Sequence, residues 1–418
     1  MQRDLVLRVS EAVDAKQDEL IEFTRQLVAC LSENPPGDER AVTAMIREKM
    51  AAWDLPEPEV WATDPSRPNL ICTCRGSGGG RTLLYNAHTD TKPIGKGTWT
   101  YDPYQPEIVD GRLYGRGSTD MKGSLAAMMA AAWALRACKV DLKGDLILAL
   151  TADEEAGSTY GAAALADRGI RADAALVGEP SGRERAFDSL CLASRGVCCA
   201  KITVYGTQMH SSLSDQGGCV NASVKLAEVL SRMAETFKER LTYVPHRLYP
   251  QGSTVNPGVL LSGGVFYGVV PGEAWFGSDI RVLPGMTFER VKADLEAFLR
   301  DLEAEDPELR TALSFEDPPL KWTPAAEIVE DHPLVGACVQ ATEAILGTQP
   351  DLVGFAATTD ARFFHHQLGI PTISAFGPGR ISLAHAPDEY VEVEDVVNAA
   401  KIFALAAAGY INGLDTDS

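Results

Sequence analysis

The chain has 418 residues, 45% hydrophobic and 23% charged, a size that buries cores in two or three domains and a composition outside the disordered and fibrous ranges. A formal charge of −20 repels phosphate backbones and anionic membrane surfaces, which sets nucleic-acid and membrane-surface binding aside as main roles. Nine cysteines in so long a chain lack the density of a disulfide scaffold and fit a reducing, cytoplasmic setting.

The opening stretch, "MQRDLVLRVSEAVDAKQDEL", mixes charge into a helical spacing and offers no apolar signal core. That pattern runs to about residue 54, broken by "SENPPGDE", whose Pro-Pro-Gly requires a loop. Short β-like runs follow ("NLICTC", "RTLLYNA", "DLILALTA", "ADAALVG"), separated by helical stretches near 123–138 and 159–168. Cys72 and Cys74 share one face of the first run, and no second pair completes a four-thiolate zinc site, so they read as packing. Strand and helix in alternation predict an α/β sheet with a parallel core, whose ligand site lies beyond the carboxyl ends of its strands. The longest apolar run, "SLAAMMAAAWAL", is too short to span a bilayer.

From 189 to 320 the texture changes. "VCCAKITVYG" and "GVLLSGGVFYGVVPGEAWFGSDIRVL" read as antiparallel strands, with helices near 218–238 and 287–304. These predict a small α+β domain inserted into the first one, which then occupies residues 1–188 and 321–418. The α/β texture resumes with a strand at "IPTISAF" and a terminal helix at "VEDVVNAAKIFALAAAGYI".

Polar residues stand where the sheet should present its ligand site. His88 and Asp90 follow "LLYNA"; on an extended segment a carboxylate two residues on can hold a metal-ligating imidazole in one tautomer. Asp120 lies in "LYGRGSTDMKGSLAAM", a Gly-rich turn before a helix beginning near Gly123, and its spacing excludes a phosphate-binding P-loop. Glu154 and Glu155 follow "LILALTA", Glu179 stands in "LVGEPS", and His385 in "SLAHAPDEY". Singly these are ordinary histidines, caps and solvated strand ends. Together, five segments each deliver an oxygen or imidazole donor suited to zinc, manganese or cobalt. Two divalent cations would be neutralised by Asp120, Glu155, Glu179 and one further anion, with Asp120 the natural bridge. Adjacent residues of an extended chain point opposite ways. Glu155 is therefore expected on a metal, and Glu154 free to take a proton from water and pass it to a departing nitrogen.

In order and spacing, HTD, "GRGSTDMKGSLAAM", DEE, GEPS, "GPG" and "HAPDE" resemble the M20 metallopeptidase and deacylase family over nearly the whole chain. The resemblance implies a zinc-peptidase-like catalytic domain with a mixed, largely parallel sheet, and an inserted ferredoxin-like dimerisation and lid domain. It implies two Zn²⁺ ions (Co²⁺ or Mn²⁺ as alternatives), with Asp120 bridging, His88 and Glu179 on one, and Glu155 and His385 on the other. Glu154 would be the general base and Asp90 the partner of His88, with a cis peptide after Asp120. His210, in "YGTQMHSSLSDQGGCVNAS", would reach the partner subunit's site of a homodimer and stabilise an oxyanion. Arg281 in "GSDIRV" would hold a substrate carboxylate with its guanidinium fork, and Gly379 of "GPG" would line the substrate. The implied reaction is hydrolysis of an amide in a small N-acyl amino acid. Gly268, where the family often has Asn, and "GFAATTDARFF", which lacks the usual double glycine, leave room for a dipeptidase, a carboxypeptidase or an aminohydrolase acting on another C–N bond, such as on an aromatic acid.

Overall fold

The computed structural model describes residues 2–215, 217–318 and 320–413, and divides into two compact units. The larger comprises 1–194, 326–355 and 359–418; the smaller comprises 195–325 with 356–358. The first junction falls after residue 194 because strand Ser189–Ser194 pairs with Asp351–Phe355 and Ala326–Glu327, both in the larger unit.

The larger unit is built on a six-stranded sheet, in the order Glu59–Trp61, Asn69–Cys74, Leu146–Thr151, Leu83–His88, Ala174–Val177, Thr372–Ile373. The first two strands join antiparallel, and the remaining four run parallel. The Leu83–His88 and Leu146–Thr151 strands are buried at every residue, as continuous apolar runs covered on both faces must be. Leu84, Ile147 and Ala175 pack on one face against helices Ala162–Asp167 and Ala361–Leu368. On the other, Tyr85 donates its hydroxyl to the Phe403 carbonyl at 2.7 Å, within helix Val393–Asn412, which packs against Gly123–Ala137 and Pro333–Leu346. The "IPTISAF" segment serves two sheets. Thr372–Ile373 pairs with Ala174–Val177, and Ser374 and Ala375 then bond to Cys191 of Ser189–Ser194.

The smaller unit is a βαββαβ fold: Gly196–Tyr205, helix Ala222–Arg232, Thr254–Gly263, Glu273–Val282, helix Phe288–Glu305, Arg310–Phe315. Its sheet is fully antiparallel, with Thr254–Gly263 at one edge, then Glu273–Val282, Gly196–Tyr205 and Arg310–Phe315. Ile202, Phe276, Ile280, Leu226 and Phe298 fill the space between sheet and helices. The first helix begins at Ala222 because the Asn221 side chain accepts the N–H groups of Ser223 and Val224, and Thr287 likewise caps the second.

Candidate active site

Three neighbouring parallel strands of the larger unit end at one place. His88 is the last residue of Leu83–His88, Glu154 and Glu155 follow Leu146–Thr151, and Glu179 follows Ala174–Val177. His88 is fully buried. Its Nδ1 donates to the Asp90 carbonyl at 2.9 Å, which leaves the Nε2 lone pair for a ligand. That Nε2 lies 3.1 Å from Asp120 Oδ1 and 3.7 Å from Glu179 Oε1. On the other side of Asp120, Oδ2 is 3.1 Å from His385 Nε2, which is 3.3 Å from Glu155 Oε2. Asp120 therefore stands between two imidazoles, each with its own glutamate.

The Asp120 segment is held from beneath. Glu389 is fully buried; its Oε1 accepts the backbone N–H groups of Gly117, Thr119 and Asp120 at 3.0–3.1 Å. Arg116 grips Glu389 Oε2 at 2.5 Å and donates to the His385 carbonyl at 3.0 Å, tying the Asp120 and His385 segments together. Gly117 turns the chain at φ 85°, where a Cβ would stand 2.4 Å from Thr91 Cγ2, so no side chain fits. The Asp120–Met121 peptide is cis.

The extended geometry expected at Glu154 and Glu155 is not what the chain adopts. Asp153 takes a left-handed conformation (φ 68°) and the glutamates form a short 3₁₀ turn, Glu154–Ala156. The Asp90 carboxylate pins that turn: Oδ1 accepts the Glu154 N–H and Oδ2 the Glu155 N–H, each at 3.1 Å. Asp90 Oδ1 is 3.5 Å from His88 Nδ1, so the Asp90 backbone carbonyl, more than its carboxylate, orients the imidazole. Asn34 donates to both Asp90 Oδ2 (2.8 Å) and Asp153 Oδ1 (3.0 Å). Buried Arg67 joins Asp153 to Glu39, at 2.9 and 2.7 Å. Asn34, Arg67, Glu39, Arg116 and Glu389 were not singled out in the sequence, although all but Arg67 stand in strings that were: "SENPPGDE", "GRGSTDMKGSLAAM" and "HAPDE".

The electrostatics follow from this crowding. Burial opposes ionisation of Asp120, but hydrogen bonds with His385 and His88 win, holding its carboxyl well below the usual range. Burial likewise disfavours imidazolium, yet the carboxylates prevail. His88 is raised well above its ordinary value by Asp120 and Asp90, and His385 to about 10 by Asp120 and Glu155. Burial, reinforced by the Asp120 charge, pushes Glu179 well up. Burial also lifts Glu154 to about 8; His88 draws it down and the carboxylates of Asp360 and Glu155 push it up.

An imidazole nitrogen faces an Asp120 oxygen at 3.1 Å on each side; a proton on each ring satisfies these contacts, and a divalent ion can take the place of that proton. Ligand atoms of His88, Asp120 and Glu155 lie within 4.8 Å of one another, as do those of His88, Glu154 and Glu179. Such a donor set of carboxylates and imidazoles fits divalent metal ions.

His210 and Arg281 belong to the smaller unit. His210 is exposed, and its Nδ1 accepts the Ser212 N–H at 3.2 Å. The neutral ring then carries its proton on Nε2, as a donor. The Arg281 fork is already engaged: Nε and Nη2 hold both Asp279 oxygens at 2.9 Å. Gly268 (φ 83°) has open space where a Cβ would stand, and its carbonyl accepts the Ser211 N–H beside His210. Ala357 of the unusual "GFAATTD" segment accepts the Arg195 N–H. In the larger unit, the Gly379 carbonyl accepts the Gly182 N–H at 3.1 Å.

Comparison with known proteins relates the chain to one family of hydrolases. The profile of peptidase family M20/M25/M40 matches residues 84–408. Acetylornithine deacetylase of Myxococcus xanthus is 33% identical over 351 residues, 82% of this chain and 84% of that one. N-formyl-4-amino-5-aminomethyl-2-methylpyrimidine deformylase of Bacillus subtilis is 25% identical over 426 aligned residues, covering 95% and 96% of the two chains. A dinuclear metal-binding M20 peptidase from Bacillus subtilis shares the fold with a TM-score of 0.71 at 16% identity, covering 96% of this chain and 99% of that one. Among the described residues, no helix is long and apolar enough to cross a membrane.

Proposed function

The chain belongs to peptidase family M20/M25/M40 and is a hydrolase of C–N bonds, and from that premise we propose that it removes the acyl group of a small N-acyl amino acid with two divalent ions, Zn²⁺ foremost. The observation that carries this reading is Asp120 between two imidazole–glutamate sets, with Glu154 beside them. His88 and Glu179 would hold one ion and Glu155 and His385 the other, with Asp120 serving both. When bound, such ions polarise the acyl carbonyl and acidify water.

Glu154 takes a proton from the attacking water as the new C–O bond forms. It returns that proton to the amide nitrogen as the C–N bond breaks, leaving a carboxylate and an amine. Its place beside His88 and Glu179 suits a group that must both accept and release a proton. His210 donates Nε2–H to the developing oxyanion from the partner subunit. Because Asp279 occupies the Arg281 fork, a substrate carboxylate would be met by Nη1; Gly379 is the substrate contact proposed in the larger unit. The exposed edge strand Thr254–Gly263, with Leu260 and Leu261 more than half exposed, supports homodimerisation through the smaller unit, since open apolar edges are normally covered. Nine cysteines, all unpaired, support a cytoplasmic location.

The second reading, a C–N hydrolase acting on another nitrogen compound, draws on the deformylase, whose match spans more of the chain than that of the deacetylase. A panel of N-acetyl, N-formyl and N-succinyl amino acids, dipeptides and N-acylated aromatic amines separates the two. Chelation should abolish turnover and Zn²⁺, Co²⁺ or Mn²⁺ restore it; activity that survives complete metal removal refutes the proposal.

A further inference from the structure

Lys92 stands two residues beyond Asp90, with its side chain about one-third exposed. Its backbone N–H donates to Glu155 Oε1 at 3.0 Å. Its ammonium donates to the Glu155 carbonyl and lies 3.4 Å from Glu155 Oε2, the oxygen that faces His385 Nε2 at 3.3 Å. One carboxylate thus carries both a resident cation and a donor atom of the proposed metal set. The other set is different: among the described residues, Glu179 has an ion pair with His88 and none with a lysine or arginine.

We propose that Lys92 is an internal cation that competes with a divalent metal for Glu155, so that the Glu155–His385 position binds metal more weakly than the His88–Glu179 position. This rests on the reading of Glu155 and His385 as ligands. A metal ion on Glu155 Oε2 would place like charges a few ångströms apart, in a partly dehydrated site where repulsion is poorly screened. The ammonium must then leave. Its four-carbon stem and partial contact with water allow that movement, but the lost ion pair is charged against metal binding at this position alone.

The test is calorimetric titration of chelator-stripped full-length protein with Zn²⁺ or Co²⁺, comparing wild type with Lys92→Gln and Lys92→Arg. Wild type should bind two ions with unequal affinity. K92Q should tighten the weaker step tenfold or more, about 1.4 kcal/mol, and leave the tighter step within about twofold. K92R keeps the charge and should behave as wild type. His385→Gln should remove the weaker step and spare the tighter one. If K92Q binds two ions with the weaker step unchanged or loosened, the proposal is wrong. If wild type itself binds fewer than two ions, the metal reading beneath it fails instead, a distinguishable result.

Discussion

Replacing Arg67 by methionine tests whether the network behind the glutamate turn stabilises the larger unit through charge. Arg67 is buried, with Glu39 fully buried on one side and Asp153 on the other. Methionine approximates its stem but leaves two buried carboxylates without their cation. Breaking a buried pair in this way costs about 3–5 kcal/mol. A body this large shifts its melting midpoint by about 2 °C per kcal/mol, so R67M should lose about 6–10 °C. The loss should depend on pH. Burial already raises Glu39 to about 7, against the lowering by Arg67. A carboxyl raised in the folded state costs nothing below its unfolded pKa and destabilises progressively as pH rises through its folded pKa. In R67M the Glu39 pKa moves higher still, so the variant partly escapes the penalty at pH 6 by binding a proton and bears more of it at pH 8. Scanning calorimetry of both proteins at both pH values provides the measurement. A deficit under about 2 °C, or one as large at pH 6 as at pH 8, would refute the reasoning.

Glu154→Gln should retain two metal ions by elemental analysis while kcat falls about 10²–10⁴-fold; loss of an ion would show that the glutamates exchange roles, which the closeness of Glu154 to His88 and Glu179 permits. Gly117→Ala, forcing a Cβ to 2.4 Å from Thr91 Cγ2 at a positive φ, should lower metal content and activity together, because it displaces the segment carrying Asp120. Arg281→Met should raise KM at least tenfold with a smaller change in kcat, as expected of uniform substrate binding; an equal fall in kcat alone would argue against a carboxylate contact. His210→Ala should be nearly inactive, yet mixing it with inactive E154Q under conditions of subunit exchange should restore about a quarter of wild-type activity, from mixed dimers with one complete site. No recovery despite demonstrated exchange would place His210 in its own subunit's site or outside it.

The sheet and the donors at its strand ends were legible because parallel strands must be continuous apolar runs, and polar residues directly after such runs are conspicuous. His88, Glu154, Glu155 and Glu179 were all marked in this way. The geometry at Glu154 was not, since an unusual left-handed Asp153 replaces the extended chain that a strand end suggests. Asn34, Arg67 and Glu389 follow no such apolar run, and their burial exists only once distant segments meet. The engagement of Arg281 was available: Asp279 lies two residues earlier on the same strand face, where a partner is to be expected.

Asp90 is a single point of failure. One side chain holds the backbones of Glu154 and Glu155, and the same residue's carbonyl sets the ring of His88. Damage there reaches the proton carrier and both donor sets at once, so an inactive Asp90 variant cannot be assigned to a lost tautomer alone. Asp90→Asn, which keeps one carbonyl acceptor and leaves the backbone carbonyl untouched, separates the two contributions. If the peg matters more than the imidazole contact, that variant will disturb the glutamate turn while His88 keeps its orientation.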